Sequence, residues 1–372
     1  MSIGLQFNPS RLTLARKRRG LTMTRLAELV GVELRSVSAY ENGQFAPEPE
    51  RRALLANVLR FPESFFLGDD LEELSPDVAS FRALSKMTAG KRDMALGAGT
   101  IALLLNKWIE EQFELPAASL PDLSQQGGPE AAAATIRQLW GLGEVPLKNM
   151  VHLLESRGVR LFSLAIDARE VDAFSMWHDS KPFIFLNTMK SAEHSRFDAA
   201  HELAHLVMHR HGEPQGQEAE REAHAFAAAF LMPRGSVLAN APKFATVDHL
   251  VKLKKFWTVS VAALAYRLHA VGALSEWHYR QIYIDISKRG YRTREPEEAQ
   301  RETSQVFAKV FAALRDESVA KRDIAAQLHI TPEEIEQLVF GLAVTSLTGG
   351  SGPGAPSGRK RGQLRAVDSR NA

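Results

Sequence analysis

The stretch FDAAHELAHLV, residues 197–207, contains the most informative spacing in the chain. His201 and His205 are four residues apart, so on a helix of about 3.6 residues per turn they share a face and can direct imidazole nitrogens at one ion. Glu202 lies beside them. In the His-Glu-x-x-His pattern two histidines bind zinc and the glutamate takes a proton from the activated water. The stretch therefore predicts a zinc hydrolase site with Glu202 as the catalytic base.

The surroundings of this motif favour catalysis over the alternative, an amphipathic helix with surface histidines. Leu206 and Val207 predict that the helix is partly buried. Upstream, residues 159–164 and 171–177 alternate as strands do, and residues 182–187 follow after a turn-forming stretch. We expect a small antiparallel sheet, whose edge could bind an extended peptide substrate through backbone hydrogen bonds.

A catalytic zinc site also needs a third protein ligand and an open position. The next predicted helix offers Glu218, Glu220 and Glu222. Glu222 lies one turn before Phe226 on the core-facing stripe, where coordination to a cation would remove the cost of burying a carboxylate. Glu222 is therefore the predicted third ligand, with Glu218 in reserve, and Glu220 is expected to point away into solvent.

The sequence leaves the roles of several other histidines and one tyrosine undecided. His209 follows His205 by four residues and is either an outer partner of the site or a surface histidine. A group that stabilises the oxyanion is also expected. Tyr266, His178 and His209 are its candidates.

Composition limits the kind of protein. The chain has 372 residues, 45% of them hydrophobic, which is enough for two or three cores. It has no cysteine, so a metal must bind to His, Asp or Glu. The absence of a long apolar run or a signal sequence predicts a cytoplasmic protein. Net charge is only +2, but the basic residues at 11, 16–19 and 25 fall in a stretch without acids, which indicates a polyanionic partner.

The predicted architecture is mainly α with a small antiparallel β-sheet, an α+β fold. Five regions are expected: a five-helix helix-turn-helix domain at 1–68, a helical linker or dimerisation region at 69–128, a zincin-like metallopeptidase domain at 129–280, a C-terminal helical region at 281–345 and a disordered tail at 346–372. Residues 318–342 look superficially like a second helix-turn-helix. Because Glu333, Glu334 and Glu336 would repel phosphates, a packing or dimerisation role is predicted there.

The region from 171 to 233 resembles the ImmA/IrrE metallopeptidase family. The similar segments are PFIFLN at 182–187, RFDAAHELAHLVMH at 196–209, EAHAFA at 222–227 and LMP at 231–233. The resemblance implies that His201, His205 and Glu222 bind Zn²⁺, that Glu202 is the base and that the substrate is a protein, such as a DNA-binding repressor. Ala204 and His224 replace residues that are commonly glycine and asparagine in the family.

The region from 11 to 66 resembles the XRE or phage-repressor helix-turn-helix family. The residues in the expected order are Leu12, Ala15, Arg16, Gly20, Leu21, Leu26, Ala27, Gly31, Val32, Val37, Tyr40, Glu41, Asn42 and Gly43. The resemblance implies binding of double-stranded DNA, commonly as a homodimer, with the helix at 33–42 in the major groove.

Four residues of this head are predicted to contact DNA. Arg35 can donate two hydrogen bonds to guanine and is the candidate for base reading, with Ser36 exposed beside it. Arg16 and Asn42 are predicted phosphate contacts, which position the protein without specifying sequence. Met23 and Leu34 stand where family members often carry glutamine, and a degenerate head that binds DNA weakly, or binds protein, is the alternative.

Together these features predict a DNA-binding transcriptional regulator with zinc endopeptidase activity, which cleaves a repressor or itself in response to a stress or phage-related signal. One alternative is a non-proteolytic repressor or antitoxin with a structural or sensory metal site. Another is a housekeeping peptidase with a vestigial head. An intact Glu202 favours the first interpretation, because a purely structural site does not need a base.

Overall fold

The computed structural model describes residues 6–74, 88–164, 173–211 and 216–343. The chain forms two compact units. Unit 1 takes Met1–Pro76, Met87–Pro116 and Gln305–Ala372, and unit 2 takes Asp77–Lys86 and Ala117–Ser304. The segment 281–345, treated above as one C-terminal region, is thus divided between the units after Ser304. The tail predicted to be disordered lies outside the described residues.

Unit 1 is helical throughout its described part. Its N-terminal portion contains four α-helices and a short 3-10 helix at Glu63–Leu67, which agrees with the predicted five helices. The α-helices are α1 (Pro9–Arg18), α2 (Met23–Val30), α3 (Leu34–Glu41) and α4 (Pro49–Leu59).

Local sequence explains where these helices begin and turn. Asn8 caps α1 by accepting hydrogen bonds from the backbone N–H groups of Ser10 and Arg11, and Thr22 caps α2 in the same way. Gly31 ends α2 at a φ of +67°, a conformation that is strained for residues with a Cβ. The tight turn places α3 against α2 over buried Leu26 and Val37.

The remainder of unit 1 contacts this helical head through two of its four helices, the first and the last. It consists of α5 (Ala89–Gln112), α14 (Gln305–Asp316), α15 (Lys321–Gln327) and α16 (Pro332–Val339). Gly97 of α5 lies so close to α1 that an added Cβ would meet the Arg18 Cα at 3.2 Å. Glu334 of α16 is buried and paired with Arg18 at 2.9 Å and Arg19 at 2.6 Å. This acidic helix therefore packs on α1, in agreement with the predicted packing role.

Unit 2 surrounds a three-stranded sheet with helices. Its helices are α6 (Pro129–Leu139), α7 (Met150–Ser156), α8 (Ala192–Met208), α9 (Gly216–Leu231), α10 (Arg234–Asn240), α11 (Val247–Trp257), α12 (Val261–Ala270) and α13 (Glu276–Lys288). Its strands are β1 (Arg160–Ser163), β2 (Ala173–His178) and β3 (Lys181–Leu186). Small and apolar side chains at the spacing of one helical face bury α9 against α6 and α8.

The α+β class is confirmed, but the sheet is mixed and not wholly antiparallel. Strand order is β1-β3-β2; β2 and β3 form an antiparallel hairpin, whereas β1 runs parallel to β3 with Leu161 opposite Ile184. The hairpin turn, Asp179 and Ser180, has φ of +47° and +60°, which suits the twist of a two-residue connection. Alternation in the sequence predicts strands without fixing the direction in which they pair, so it could not reveal the parallel pair.

Two sets of contacts hold α8 in place. On one side it packs on β2 and β3, and the indole N–H of Trp177 donates to the carbonyl of Leu206 at 3.1 Å. At its N-terminal end, buried Glu193 is paired with the buried Lys254 ammonium at 2.6 Å. The motif predicted from sequence therefore lies on a helix that is fixed at both ends.

Among the described residues, no helix is both long enough and apolar enough to cross a membrane.

Candidate metal centre and DNA-binding face

Three side chains converge where α8 meets α9. The Nε2 atoms of His201 and His205 are 3.1 Å apart. A carboxylate oxygen of Glu220 lies 3.8 Å from His201 Nε2, and the other lies 3.3 Å from His205 Nε2. All three side chains are half-buried or deeper, with exposed fractions of 18%, 11% and 21%. The donors therefore face one another around a common point.

This arrangement fits a zinc ion. Tetrahedral ligands bound at about 2.0–2.1 Å from one zinc ion lie about 3.3 Å apart. The three separations, 3.1, 3.3 and 3.8 Å, bracket that value. Two imidazoles and a carboxylate also form the donor set of catalytic zinc sites that keep one position open. The residues present can thus hold zinc without rearrangement of the two helices.

Glu222, the predicted third ligand, is not part of this cluster. Its carboxylate lies 3.1 Å from Nε2 of His209, and the group of potential ligands within 4.8 Å of one another consists of His201, His205 and Glu220. Both glutamates flank the buried stripe of α9, about 200° apart around the helix. Periodicity identified the stripe but did not show which flank faces α8. The expectation that Glu220 points into solvent is therefore wrong.

Glu202, which follows His201 on α8, is buried and accepts a hydrogen bond from a residue of β2. Its side chain is 3% exposed, and the Ser175 hydroxyl on β2 donates to its carboxylate at 2.6 Å. Burial raises the pKa of Glu202 to about 7, against the opposing effects of His201 and Ser175. A carboxyl group with a pKa near neutrality can both accept and return a proton. Sequence analysis missed Ser175, because no local motif connects β2 to α8.

Burial and neighbouring charges act differently on the three potential ligands. Burial lowers the pKa of His205 to about 4, which leaves its ring neutral and able to coordinate. For Glu220, burial opposes ionisation, but hydrogen bonds with His201 and His205 outweigh it and lower the carboxyl pKa. For His201, burial is likewise outweighed, by Glu220 and Glu202, and its pKa is raised. Glu220 thus brings a negative charge to the centre.

The candidates for oxyanion stabilisation are placed differently from one another. His209 is engaged on both ring nitrogens, with His205 at 3.0 Å and Glu222 at 3.1 Å. The ring of Tyr266 lies against that of His224, with centroids 5.1 Å apart. Burial lowers the pKa of His224, and the nearby charges of His201 and Glu220 act on it in opposite directions. His178 lies at the end of β2, 3.6 Å from Asp179. His209 thus contacts the cluster directly with both ring nitrogens engaged, whereas Tyr266 lies next to His224, whose pKa responds to the charges of the cluster.

The predicted DNA contacts of unit 1 divide into buried and exposed groups. Arg35 is 83% exposed near the start of α3 and is paired with Glu33 at 2.7 Å, whereas Ser36 beside it is partly buried. Asn42 follows α3, where its side-chain amide donates to the Ser38 hydroxyl. Arg16, in contrast, is 11% exposed and binds Glu41 with two hydrogen bonds, of 2.5 and 2.8 Å. A phosphate contact by Arg16 would require this ion pair to open.

Most of the basic cluster on α1 is likewise committed within the protein. Arg11 is buried and donates to the backbone carbonyl of Asp69, and Arg18 and Arg19 hold Glu334. The local excess of positive charge that suggested a polyanion partner therefore contributes mainly to packing.

Comparison with known families agrees with this arrangement. Residues 12–66 match the family model described as helix-turn-helix, and residues 154–269 match the peptidase M78 model described as an IrrE N-terminal-like domain. No curated protein matches the chain significantly. The second match spans all three strands, α8, α9 and the His201–His205–Glu220 cluster. The chain thus joins an XRE-type helix-turn-helix domain to an ImmA/IrrE-like domain of a metallopeptidase family, in that order.

Proposed function

We propose that this protein is a DNA-binding regulator with zinc-dependent endopeptidase activity, in which His201, His205 and Glu220 bind the metal and Glu202 is the base. The observation that carries the proposal is the convergence of three ligand atoms within 4.8 Å beside a buried carboxylate with a pKa of about 7. A structural or sensory metal site has no need for such a carboxylate. This supports catalysis over the non-proteolytic alternative.

Each residue has a defined task in the proposed reaction. Zinc bound at this centre supplies Lewis acidity toward water and the scissile carbonyl. Glu202 accepts the proton of the attacking water and delivers it to the departing amine nitrogen, which completes hydrolysis without a covalent intermediate. The Ser175 hydroxyl donates to one carboxylate oxygen of Glu202 at 2.6 Å. Because the carboxylate is planar and rigid, this contact also restricts the position of the second oxygen.

The substrate class follows from the sheet. In the strand order β1-β3-β2 of the described residues, β2 lies at one end, and it packs along α8, the helix that carries His201 and His205. An extended peptide can add to such an edge through backbone hydrogen bonds. We propose that an unfolded or loop segment of a protein, such as a repressor, binds there. Peptides N-methylated at alternate backbone positions should be cleaved more slowly than their unmodified forms; equal rates would exclude strand addition.

The helix-turn-helix domain supports the DNA-binding half of the proposal. Arg35 is exposed and Ser36 is partly exposed at the start of α3, the helix expected in the major groove. We propose that the protein binds a palindromic duplex as a homodimer and that peptide cleavage alters the amount of active repressor. Sedimentation of the protein with a selected duplex tests the stoichiometry; one chain per duplex would contradict the dimer.

The decisive experiment measures zinc content and peptide cleavage together. Zinc-loaded wild-type protein is incubated with a proteome-derived peptide library, and cleavage products are identified by mass spectrometry. We expect one zinc per chain, and we expect Glu202→Gln to keep its zinc but lose about 10²–10⁴-fold in cleavage rate. Glu218→Gln is the matched control, since Glu218 is 64% exposed on α9. Zinc-loaded wild type that cleaves nothing, or activity that survives Glu202→Gln, would contradict the peptidase proposal.

A further inference from the structure

A chain of three side chains leads outward from the centre. His205 directs Nε2 toward His201 and Glu220, and its other ring nitrogen, Nδ1, lies 3.0 Å from Nδ1 of His209. Nε2 of His209 in turn lies 3.1 Å from a carboxylate oxygen of Glu222. His209 is 6% exposed, and Glu222 is 29% exposed. The inner part of this chain is therefore shielded from water.

Hydrogen-bond chemistry allows one direction for this chain when both rings are neutral. The ionised carboxylate of Glu222 can only accept, so His209 must carry its proton on Nε2. A neutral imidazole has one N–H, which leaves Nδ1 of His209 as an acceptor. His205 must then donate from Nδ1, so its Nε2 presents a lone pair toward His201 and Glu220.

We propose that His209 and Glu222 are positioning residues that fix the tautomer and ring orientation of His205, so that Nε2 is presented to the metal. This inference rests on the proposed metal site. It also gives Glu222 a role that differs from the one expected from sequence: it acts on the metal through two imidazole rings and does not bind the metal itself.

The four-residue spacing of the histidines explains how one helix aligns them. His201, His205 and His209 succeed one another at four-residue steps on α8 and its C-cap, so their rings follow one another along one face, inclined to each other, with centroids 4.9 and 5.0 Å apart. The first two rings face the proposed ligand Glu220, and the third faces Glu222 on the same neighbouring helix. Two glutamates of α9, two residues apart, thus have separate tasks.

The chain predicts which substitutions are tolerated. Gln at 222 retains an oxygen that can accept from His209, and Asn at 209 retains an oxygen near the position of Nδ1. Leu at either position removes the acceptor. Outer partners of metal-binding histidines typically contribute 10–100-fold to metal affinity. We therefore expect His209→Leu and Glu222→Leu to weaken zinc binding by about 10–100-fold. Glu222→Gln and His209→Asn should retain most of the affinity.

The test uses the full-length protein and two measurements. Zinc affinity is determined by competition with a chromogenic chelator for wild type, the four variants and the surface control Glu218→Gln. Independently, metal-free protein labelled with ¹⁵N-histidine is studied by long-range ¹H–¹⁵N correlation NMR, which reports the tautomer of each ring. We expect His205 of the wild type to carry its proton on Nδ1, and we expect loss of this preference in His209→Leu.

The outcomes separate the inference from the proposed function. Wild type that binds no zinc would overturn the metal site, while the NMR measurement would still decide the direction of the hydrogen bonds. Wild-type His205 protonated on Nε2 would overturn the inference without any variant, and so would Leu variants with unchanged zinc affinity. If Glu222→Gln lost as much affinity as Glu220→Gln, Glu222 would be a ligand and the positioning role would be wrong.

Discussion

The candidate metal centre and the predicted DNA-binding face both present polar side chains, but these side chains have different partners. At the metal centre, His201, His205 and Glu220 direct their ligand atoms at one another, an arrangement that a shared cation would satisfy. On the DNA-binding face, Arg16 and Arg35 are each already paired with a carboxylate, that of Glu41 or Glu33. Donor atoms that converge on one point indicate a shared ligand. Charged side chains that are already paired contribute to the stability of the fold, and DNA could contact them only by displacing their carboxylate partners.

The largest expected effect concerns the identity of the third ligand. Glu220→Gln removes a charged ligand, so we expect zinc affinity to fall by more than about 100-fold, beyond the range typical of outer partners. Glu218→Gln, on the exposed side of the same helix, should bind zinc as wild type does. Chelator competition measures both. Equal affinities of the two variants would mean that the convergence at Glu220 has no role in metal binding.

The second prediction tests whether Arg16 acts in stability. Arg16→Ala leaves Glu41, which is 8% exposed, without its ion-pair partner, and such a loss costs about 3–5 kcal/mol of stability when the pair is buried. Urea denaturation measures the free energy of unfolding. Arg25→Ala is the control, since the Arg25–Glu28 pair is exposed and contributes little.

A double variant sharpens this test. Replacing both Arg16 and Glu41 by leucine removes the unpaired buried carboxylate, so part of the lost stability should return. If Arg16→Ala were as stable as wild type but bound DNA more weakly, the phosphate contact expected from sequence would be the better description.

Features that depend on residues close together in the sequence could be predicted. The helices of both domains were predictable because apolar periodicity, caps such as Asn8 and Thr22, and glycines such as Gly31 act over a few residues. His201, Glu202 and His205 were identifiable for the same reason, since one helical turn fixes their relation.

Features that depend on contacts between distant segments were not predictable. The choice between Glu220 and Glu222 depends on how α9 is rotated against α8, and Ser175 reaches Glu202 from a strand 27 residues away in sequence. The parallel pairing of β1 with β3 has the same origin. Arg18 and Arg19, at the end of α1, looked like part of a DNA-binding patch because their acidic partner, Glu334, lies more than 300 residues along the chain.

The third prediction concerns pH and the buried carboxyl group of Glu202. Its pKa is raised by burial from 4.5 to about 7 in metal-free protein. Below pH 4.5 both folded and unfolded states hold the proton. As pH rises toward 7, the unfolded state ionises first, so the free energy of unfolding falls, by about 3 kcal/mol at about 1.4 kcal/mol per pKa unit.

Denaturant titrations of chelator-treated protein between pH 4.5 and 8 measure this effect. Wild type should lose stability relative to Glu202→Gln as pH rises and should level off above pH 7, because the amide does not titrate. Parallel curves would show that the environment of Glu202 does not hold its proton. Added zinc should reduce the difference, because a nearby cation favours the charged carboxylate.

The smallest effect is expected at Arg35, whose exposed ion pair with Glu33 leaves a contact with DNA possible. The exposed Arg35–Glu33 pair contributes little to folding, so Arg35→Ala should leave the free energy of unfolding unchanged. If Arg35 reads a base, its loss should cost about 1–3 kcal/mol of binding, or roughly 5–150-fold in affinity, for a duplex selected by the wild-type protein from random sequences. Arg280→Ala, at an exposed and similarly paired arginine of unit 2, is the control.

Two other outcomes would contradict base reading. If Arg35→Ala weakened binding to all DNA sequences equally and reduced the salt dependence of binding, Arg35 would contact a phosphate. Unchanged affinity would mean that Glu33 holds Arg35 in the complex as well, and that the exposed pair, like the buried Arg16–Glu41 pair, belongs to the fold.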